Sequence, residues 1–172
     1  ALPILQEWKD RLPGICEGYS PENIWNYDES ALVFRLMDSS SLAVKGQQCQ
    51  GGKMSKERVT FVTCASMTGE KERLVIIGKS ENPRCFKAIK QCDLPVKYYF
   101  NKKAWMTSKI NVDMLNRLNR KMKNQKRHIL LFLDNASSHP DIQLSNIAVN
   151  FFLETLQACV SQWTKELFKA SN

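Results

Sequence analysis

Two aspartates, each closing an apolar run, are the residues of this chain whose type and setting could do chemistry. Ile24-Trp25-Asn26-Tyr27 leads into Asp28-Glu29-Ser30, and Ile129-Leu130-Leu131-Phe132-Leu133 leads into Asp134-Asn135-Ala136-Ser137-Ser138-His139. A short run of Ile, Leu and Phe is the pattern of a strand buried on both faces. An acid at the end of such a strand sits at the rim of the sheet, where it faces solvent or a metal. Two such acids on neighbouring strands can share divalent cations, because Mg²⁺ and Mn²⁺ prefer hard carboxylate oxygens. Two metals roughly 4 Å apart can then clamp the attacking and leaving oxygens of a phosphoryl displacement. The plainer alternative is that both acids merely cap strand ends, as aspartate does in turns.

Residues beside the acids suggest support for them. Glu29 points away from Asp28 if the strand continues, which suits a contact behind the acid rather than a ligand. Asn135 could orient Asp134 or simply start a helix. His139, in a turn ending at Pro140, could order a metal site or serve the fold alone.

The chain carries 25 Lys and Arg against 17 Asp and Glu, a net charge of +8 over 172 residues. That excess favours an anionic partner, with nucleic acid first. The cations are clustered. Lys45, Lys53, Lys56 and Arg58 form one group, and Lys102 and Lys103 a second. Arg117, Arg120, Lys121, Lys123, Lys126 and Arg127 form a third on a predicted helix and its exit, where a solvated face is the simpler reading. Gly51-Gly52-Lys53 is not a phosphate loop, since Gln47 and Met54 stand where glycine and Ser or Thr are required. Lys53, Lys56, Arg58, Lys102 and Lys103 are the candidate phosphate contacts. Tyr98, Tyr99 and Phe100 form a candidate DNA-facing surface, whereas Trp105 is expected in the core, with Thr107 or Ser108 capping the next helix. The six cysteines form no Cys-x-x-Cys pair and are read as reduced thiols of the cytosol or nucleus, with Cys64 a small core residue. No apolar run approaches the roughly 20 residues needed to cross a bilayer.

The elements that must position these residues follow from pattern. Residues 1–23 read as a lead-in with turns at Pro13-Gly14 and Ser20-Pro21. Residues 24–28 read as a first strand, 57–67 as a long second strand, and 73–78 as its antiparallel return after Thr68-Gly69. Residues 79–104 read as irregular, with Pro83 and Pro95 barring a helix. Val112, Leu115, Leu118 and Met122 mark one buried face of a helix over 106–123. Residues 128–134 should lie parallel to the first strand after that crossover. A short strand over 147–152 and a helix over 154–169 follow. The expected organisation is a lead-in (1–23), one α/β domain (24–152) and a C-terminal helix (153–172).

Several words resemble the pogo/Tigger branch of the DDE superfamily of transposases and the host proteins derived from them. They are Glu7-Trp8-Lys9, Asn26-Tyr27-Asp28-Glu29-Ser30, Gly51-Gly52-Lys53-Met54-Ser55-Lys56-Glu57-Arg58, Ile77-Gly78-Lys79-Ser80, Pro83-Arg84-Cys85-Phe86-Lys87, Asn101-Lys102-Lys103-Ala104-Trp105-Met106-Thr107 and Leu131-Phe132-Leu133-Asp134-Asn135. They stand in the family's order and at its spacing, from about Glu7 to Phe152. The resemblance implies an RNase H-like mixed sheet flanked by helices, a nuclear DNA partner, and Mg²⁺ or Mn²⁺ held by three acids. Asp28 and Asp134 would be the first two, and a histidine at the position of His139 belongs to the pattern. The family's N-terminal helix-turn-helix modules are not visible here, and Ala1 stands where an initiating Met would, which suggests a fragment or a processed form.

The third acid breaks the pattern. In the family, a proline-rich loop and a Gln-Pro-Leu-Asp-Gln-Gly-like word follow the strand matching residues 147–152. Here Leu156-Gln157-Ala158-Cys159 is the remnant of that word, and Val160 stands where the acid belongs. Glu154 comes directly after the strand, too early. Glu166 lies at close to the family's separation from Asp134, though its neighbours do not match. Three functions are therefore weighed: a catalytically impaired, DNA-associated domain; an active two-metal endonuclease with Glu166 as third ligand; and a protein-interaction scaffold without a DNA role. Salt-dependent DNA binding separates the last from the others.

Overall fold

Five consecutive buried residues, Ile129–Leu133, form the strand around which the domain is layered. Strand alternation divides them between two cores. Ile129, Leu131 and Leu133 join Trp25, Tyr27, Val62, Cys64 and Ile77 on one face, under the helix Ser108–Asn124. Leu130 and Phe132 turn to the other face, where Trp8 of the helix Leu2–Cys16 covers them. The Trp8 ring lies 6.3 Å from Phe132 and 5.6 Å from Phe152, centroid to centroid. A strand covered on both faces has to be apolar throughout, which is why this run contains no polar residue.

The computed structural model describes residues 2–35 and 57–152. In chain order its elements are α1 (Leu2–Cys16), β1 (Ile24–Arg35), β2 (Glu57–Ser66), β3 (Val75–Gly78), β4 (Lys97–Phe100), α2 (Ser108–Asn124), β5 (Ile129–Leu133) and β6 (Ile147–Phe151). Short 3-10 turns at Pro21–Asn23, Arg84–Phe86 and Gln91–Asp93 lie between them. The six strands form one sheet in the order β4-β3-β2-β1-β5-β6. Strand β2 is antiparallel to β1 and β3, whereas β4 runs parallel to β3, and β5 and β6 continue parallel beyond β1. An antiparallel meander, a helical crossover and parallel strands on the far side of β1 are the RNase H-like order expected from the sequence. Because β2 alone is reversed, the other five strands all end at the same edge of the sheet.

Helix α2 starts where Thr107 Oγ1 accepts the Ile110 amide at 3.4 Å, as an N-cap should. It ends with Lys126 in a left-handed conformation (φ 56°). Ile110, Leu115, Leu118 and Met122 form its buried stripe together with Asn111, whose Nδ2 donates to the Tyr27 hydroxyl at 3.1 Å. Val112, expected on that stripe, is only half-buried.

Three further expectations are corrected. Residues 13–14 do not turn: α1 runs through Pro13 to Cys16, and its Trp8 is anchored in the aromatic cluster just described. The turn at Ser20-Pro21 is present as a 3-10 turn. Strand β1 does not stop at Asp28 but continues to Arg35, because β2 pairs with it along that whole length, Trp25 against Ser66 through Arg35 against Glu57. Residues 79–104 are not irregular throughout, since β4 adds an edge strand in parallel register with β3. The prolines at 83 and 95 excluded a helix there but not a short strand after Pro95. The expected helix over 154–169 lies outside the described residues.

Candidate functional site

Strand β1 ends its partnership with β5 just before the first acid. The parallel pairs run from Ile24–Leu130 to Asn26–Phe132. Continued two residues in the same register, they set Asp28 opposite Asp134. The pairing itself ends at Asn26–Phe132, so the register sets only the level of the two acids along the strands. Asp28 is an interior residue of β1, paired with Thr63 of β2, and Asp134 is the first residue past β5.

Glu29 and Tyr27 share the opposite face of β1 from Asp28 by strand alternation. There they meet His139, which is buried. Its Nε2 lies 2.6 Å from Glu29 Oε1, and its Nδ1 lies 2.6 Å from Asp134 Oδ1 and 3.0 Å from the Asp134 carbonyl. The Tyr27 ring packs edge-on against the imidazole at 5.6 Å. Both ring nitrogens face acceptors, so only the doubly protonated imidazolium satisfies both contacts. Burial works against that charge, but the hydrogen bonds to Asp134 and Glu29 outweigh it and push the His139 pKa up to about 10. Burial likewise opposes ionisation of Asp134, yet the contacts to His139 and the Ala136 amide hold its carboxyl below the usual aspartate range. That Ala136 amide, 3.4 Å from Asp134 Oδ1, makes the turn that aims the acid. Asn135, a candidate for this role, is exposed. Burial also raises the Tyr27 hydroxyl well above its ordinary value, so it stays a neutral hydrogen-bonding group.

One Asp134 oxygen is thus already committed to an imidazolium. Among the described residues, no group of three or more His, Cys, Asp or Glu side chains is placed to hold a metal ion. Among the described residues, Asp28 and Asp134 alone do not make up the donor set of a two-metal centre. Glu166, Lys53 and Lys56 lie outside the described residues.

The remaining basic candidates separate. Lys102 and Lys103 are exposed in the turn after β4. Arg58 is half-buried, its guanidinium carbon 4.8 Å from the Trp105 ring centroid and its Nη2 donating to Thr60 Oγ1 at 3.3 Å. Trp105 is not a core residue: it is 53% exposed, and Ala104 and Met106 beside it are buried instead. Of the proposed aromatic surface, Tyr98 is buried and donates to the Ser80 carbonyl at 2.6 Å, and the Tyr99 hydroxyl bonds Asp113; Phe100 alone is well exposed. In the third cluster, Arg127 bolts the start of β1 to the turn after β2, donating to Asn23 Oδ1 and Glu70 Oε2, each at 2.9 Å. Lys121 pairs with Glu72. Arg117 and Arg120, with Lys97 and Lys121, line an open groove that Asp113 also borders.

The sequence reading missed Tyr27 and the His139–Glu29 contact. The available signal was the two-residue spacing of Tyr27 and Glu29, which puts both on one strand face.

The chain belongs to the DDE superfamily endonuclease family, whose pattern matches residues 56–167. Asp134 and Glu166 fall inside that span, and Asp28 precedes it. The chain is similar to Tigger transposable element-derived protein 4 of Mus musculus, 36% identical over 165 residues, which take in 95% of this chain and 32% of that protein. It is 25% identical over 124 residues to the human major centromere autoantigen B, covering 72% of this chain and 20% of that one. A structural likeness to the Mos1 transposase paired-end complex with left transposon end has a TM-score of 0.46 at 13% identity, over 98% of this chain and 52% of that chain. The chain spans a third or less of the length of these two relatives.

Proposed function

We propose that this chain is a transposase-derived DDE domain that binds DNA in the nucleus through phosphate contacts and is catalytically impaired. The observation that carries the impairment is Val160, which stands where a third acid belongs and offers no oxygen to a metal. His139 bridges Glu29 and Asp134 and holds the Asp134 carboxylate in place. In this reading Asp28 and Asp134 are the residual acids, able at most to hold one hydrated Mg²⁺ or Mn²⁺. Glu29, His139 and Tyr27 keep Asp134 in place.

DNA binding is supported by the net charge of +8, by exposed Lys102 and Lys103 beyond the end of β4, and by family membership. Lys53 and Lys56 are further phosphate contacts in this proposal. The nuclear site follows from a chromosomal DNA partner. Binding by the isolated chain should be weak and nearly independent of sequence, because phosphate contacts position a protein but do not specify bases. The test is affinity for a duplex across a salt series. A log–log slope of about −0.9 per phosphate neutralised is expected. Binding that ignores salt, or no binding at low salt, would favour the scaffold reading instead.

A further inference from the structure

The segment from Asn101 to Thr107, between β4 and α2, is held with unusual completeness. The Asn101 side chain accepts the amides of Lys103 (3.1 Å) and Trp105 (3.2 Å) and donates to the Trp105 carbonyl at 2.6 Å. Ala104 is fully buried in a left-handed conformation, φ 52°, which residues other than glycine rarely adopt. Its carbonyl accepts the Thr60 hydroxyl at 2.7 Å, and that hydroxyl in turn accepts from Arg58. Backbone strain persists only where surrounding contacts fix it, and it collects at functional segments. The outcome here is a large aromatic ring turned into solvent between two buried neighbours. A guanidinium stands over that ring, and two exposed lysines precede it in the same turn.

We propose that Trp105 is a stacking platform for an unpaired nucleobase, with Arg58 backing the ring and Lys102 and Lys103 holding the flanking phosphates. This rests on the DNA-binding reading above and adds a substrate feature to it. The chemistry favours a base over an apolar protein partner: an exposed aromatic set among cations is the surface on which nucleobases stack while their phosphates are neutralised. The segment also lies at the right end of the sheet. It follows the end of β4, which points the same way as the ends of β1 and β5. Along β2, Thr63 pairs with Asp28 and Arg58 pairs with Val33. Those five steps span about 17 Å at about 3.3 Å each, so a base on Trp105 would sit about that far along the strands from the level of Asp28.

The test uses the full chain, fluorescence anisotropy and two labelled probes of equal length: a paired duplex and single-stranded oligothymidine. Trp105→Ala should weaken oligothymidine binding about tenfold and leave duplex affinity within about twofold. Trp105→Phe should restore most of the loss, because a phenyl ring still stacks. Lys102→Ala with Lys103→Ala should weaken both probes and flatten both salt slopes by up to about 2. If Trp105→Ala leaves oligothymidine binding unchanged, or lowers both probes equally, the stacking role is overturned while duplex binding by the wild type still stands. If the wild type binds neither probe, the DNA-binding reading falls and the stacking role falls with it.

Discussion

Glu29 and His139 are 110 residues apart in the chain, and their Oε1 and Nε2 atoms are 2.6 Å apart in space. The contact joins β1 to the turn beyond β5, past the last parallel pair of the two strands, Asn26 with Phe132. Through Nδ1 the same ring fixes Asp134. One buried cation thus ties together two carboxylates that would otherwise repel each other, and closes the sheet edge where the parallel strands stop.

His139→Ala should therefore cost about 3–5 kcal/mol of stability, the range for leaving buried charges without their partner. His139→Gln, which can bond one acceptor but carries no charge, should recover only part of it. Urea denaturation followed by circular dichroism measures both. A loss under about 1 kcal/mol for His139→Ala would mean that the bridge contributes little.

The same group sets a pH dependence. Its folded pKa, about 10, is raised above the ordinary histidine value of 6.5. A raised pKa adds stability that is fully present below about 6.5 and disappears as pH climbs through about 10. Stability of the wild type should thus fall by a few kcal/mol between about pH 6.5 and 10, and His139→Gln should flatten that decline. Parallel wild-type and variant curves across this window would contradict the assignment.

Helix α1 is predicted to belong to the folded domain rather than precede it. Trp8 packs against Phe132 and Phe152, which stack on each other at 5.2 Å. Trp8→Ala should cost about 3–5 kcal/mol, as buried aromatic truncations do. Removing residues 1–17 should leave an exposed apolar face and an aggregating protein, detected by light scattering. A truncated chain that stayed monomeric with unchanged stability would restore the lead-in reading of residues 1–23.

Much of this architecture was legible in the sequence, for identifiable reasons. Ile129–Leu133 reads as a doubly covered strand because nothing polar interrupts it, and Thr107 or Ser108 reads as a cap because a hydroxyl precedes the apolar stripe of α2; Thr107 is the one that caps. What failed depended on distant partners. Strand β1 outruns its apolar segment because β2 supplies pairing as far as Arg35, and no local pattern reports that. Trp105 was expected inside because large aromatics usually are. It is turned outward by the Ala104 conformation and by the Asn101 side chain, neither of which a hydrophobicity pattern records. The turn at Pro13-Gly14 was misread because proline alone suggested a break, whereas Trp8, Leu12 and Ile15 place one face of α1 on the sheet.

In the proposed function, Asp28 and Asp134 do not assemble a working two-metal centre. Nicking of supercoiled plasmid in Mg²⁺ or Mn²⁺ tests it most directly, with wild type, Asp134→Ala and Glu166→Ala side by side. Little or no nicking above a no-protein control is expected from any of the three, and little from Val160→Asp alone, since a restored acid must also meet the geometry. Efficient nicking by the wild type, abolished by Asp134→Ala and by Glu166→Ala, would contradict the account and make Glu166 the third ligand of an active endonuclease.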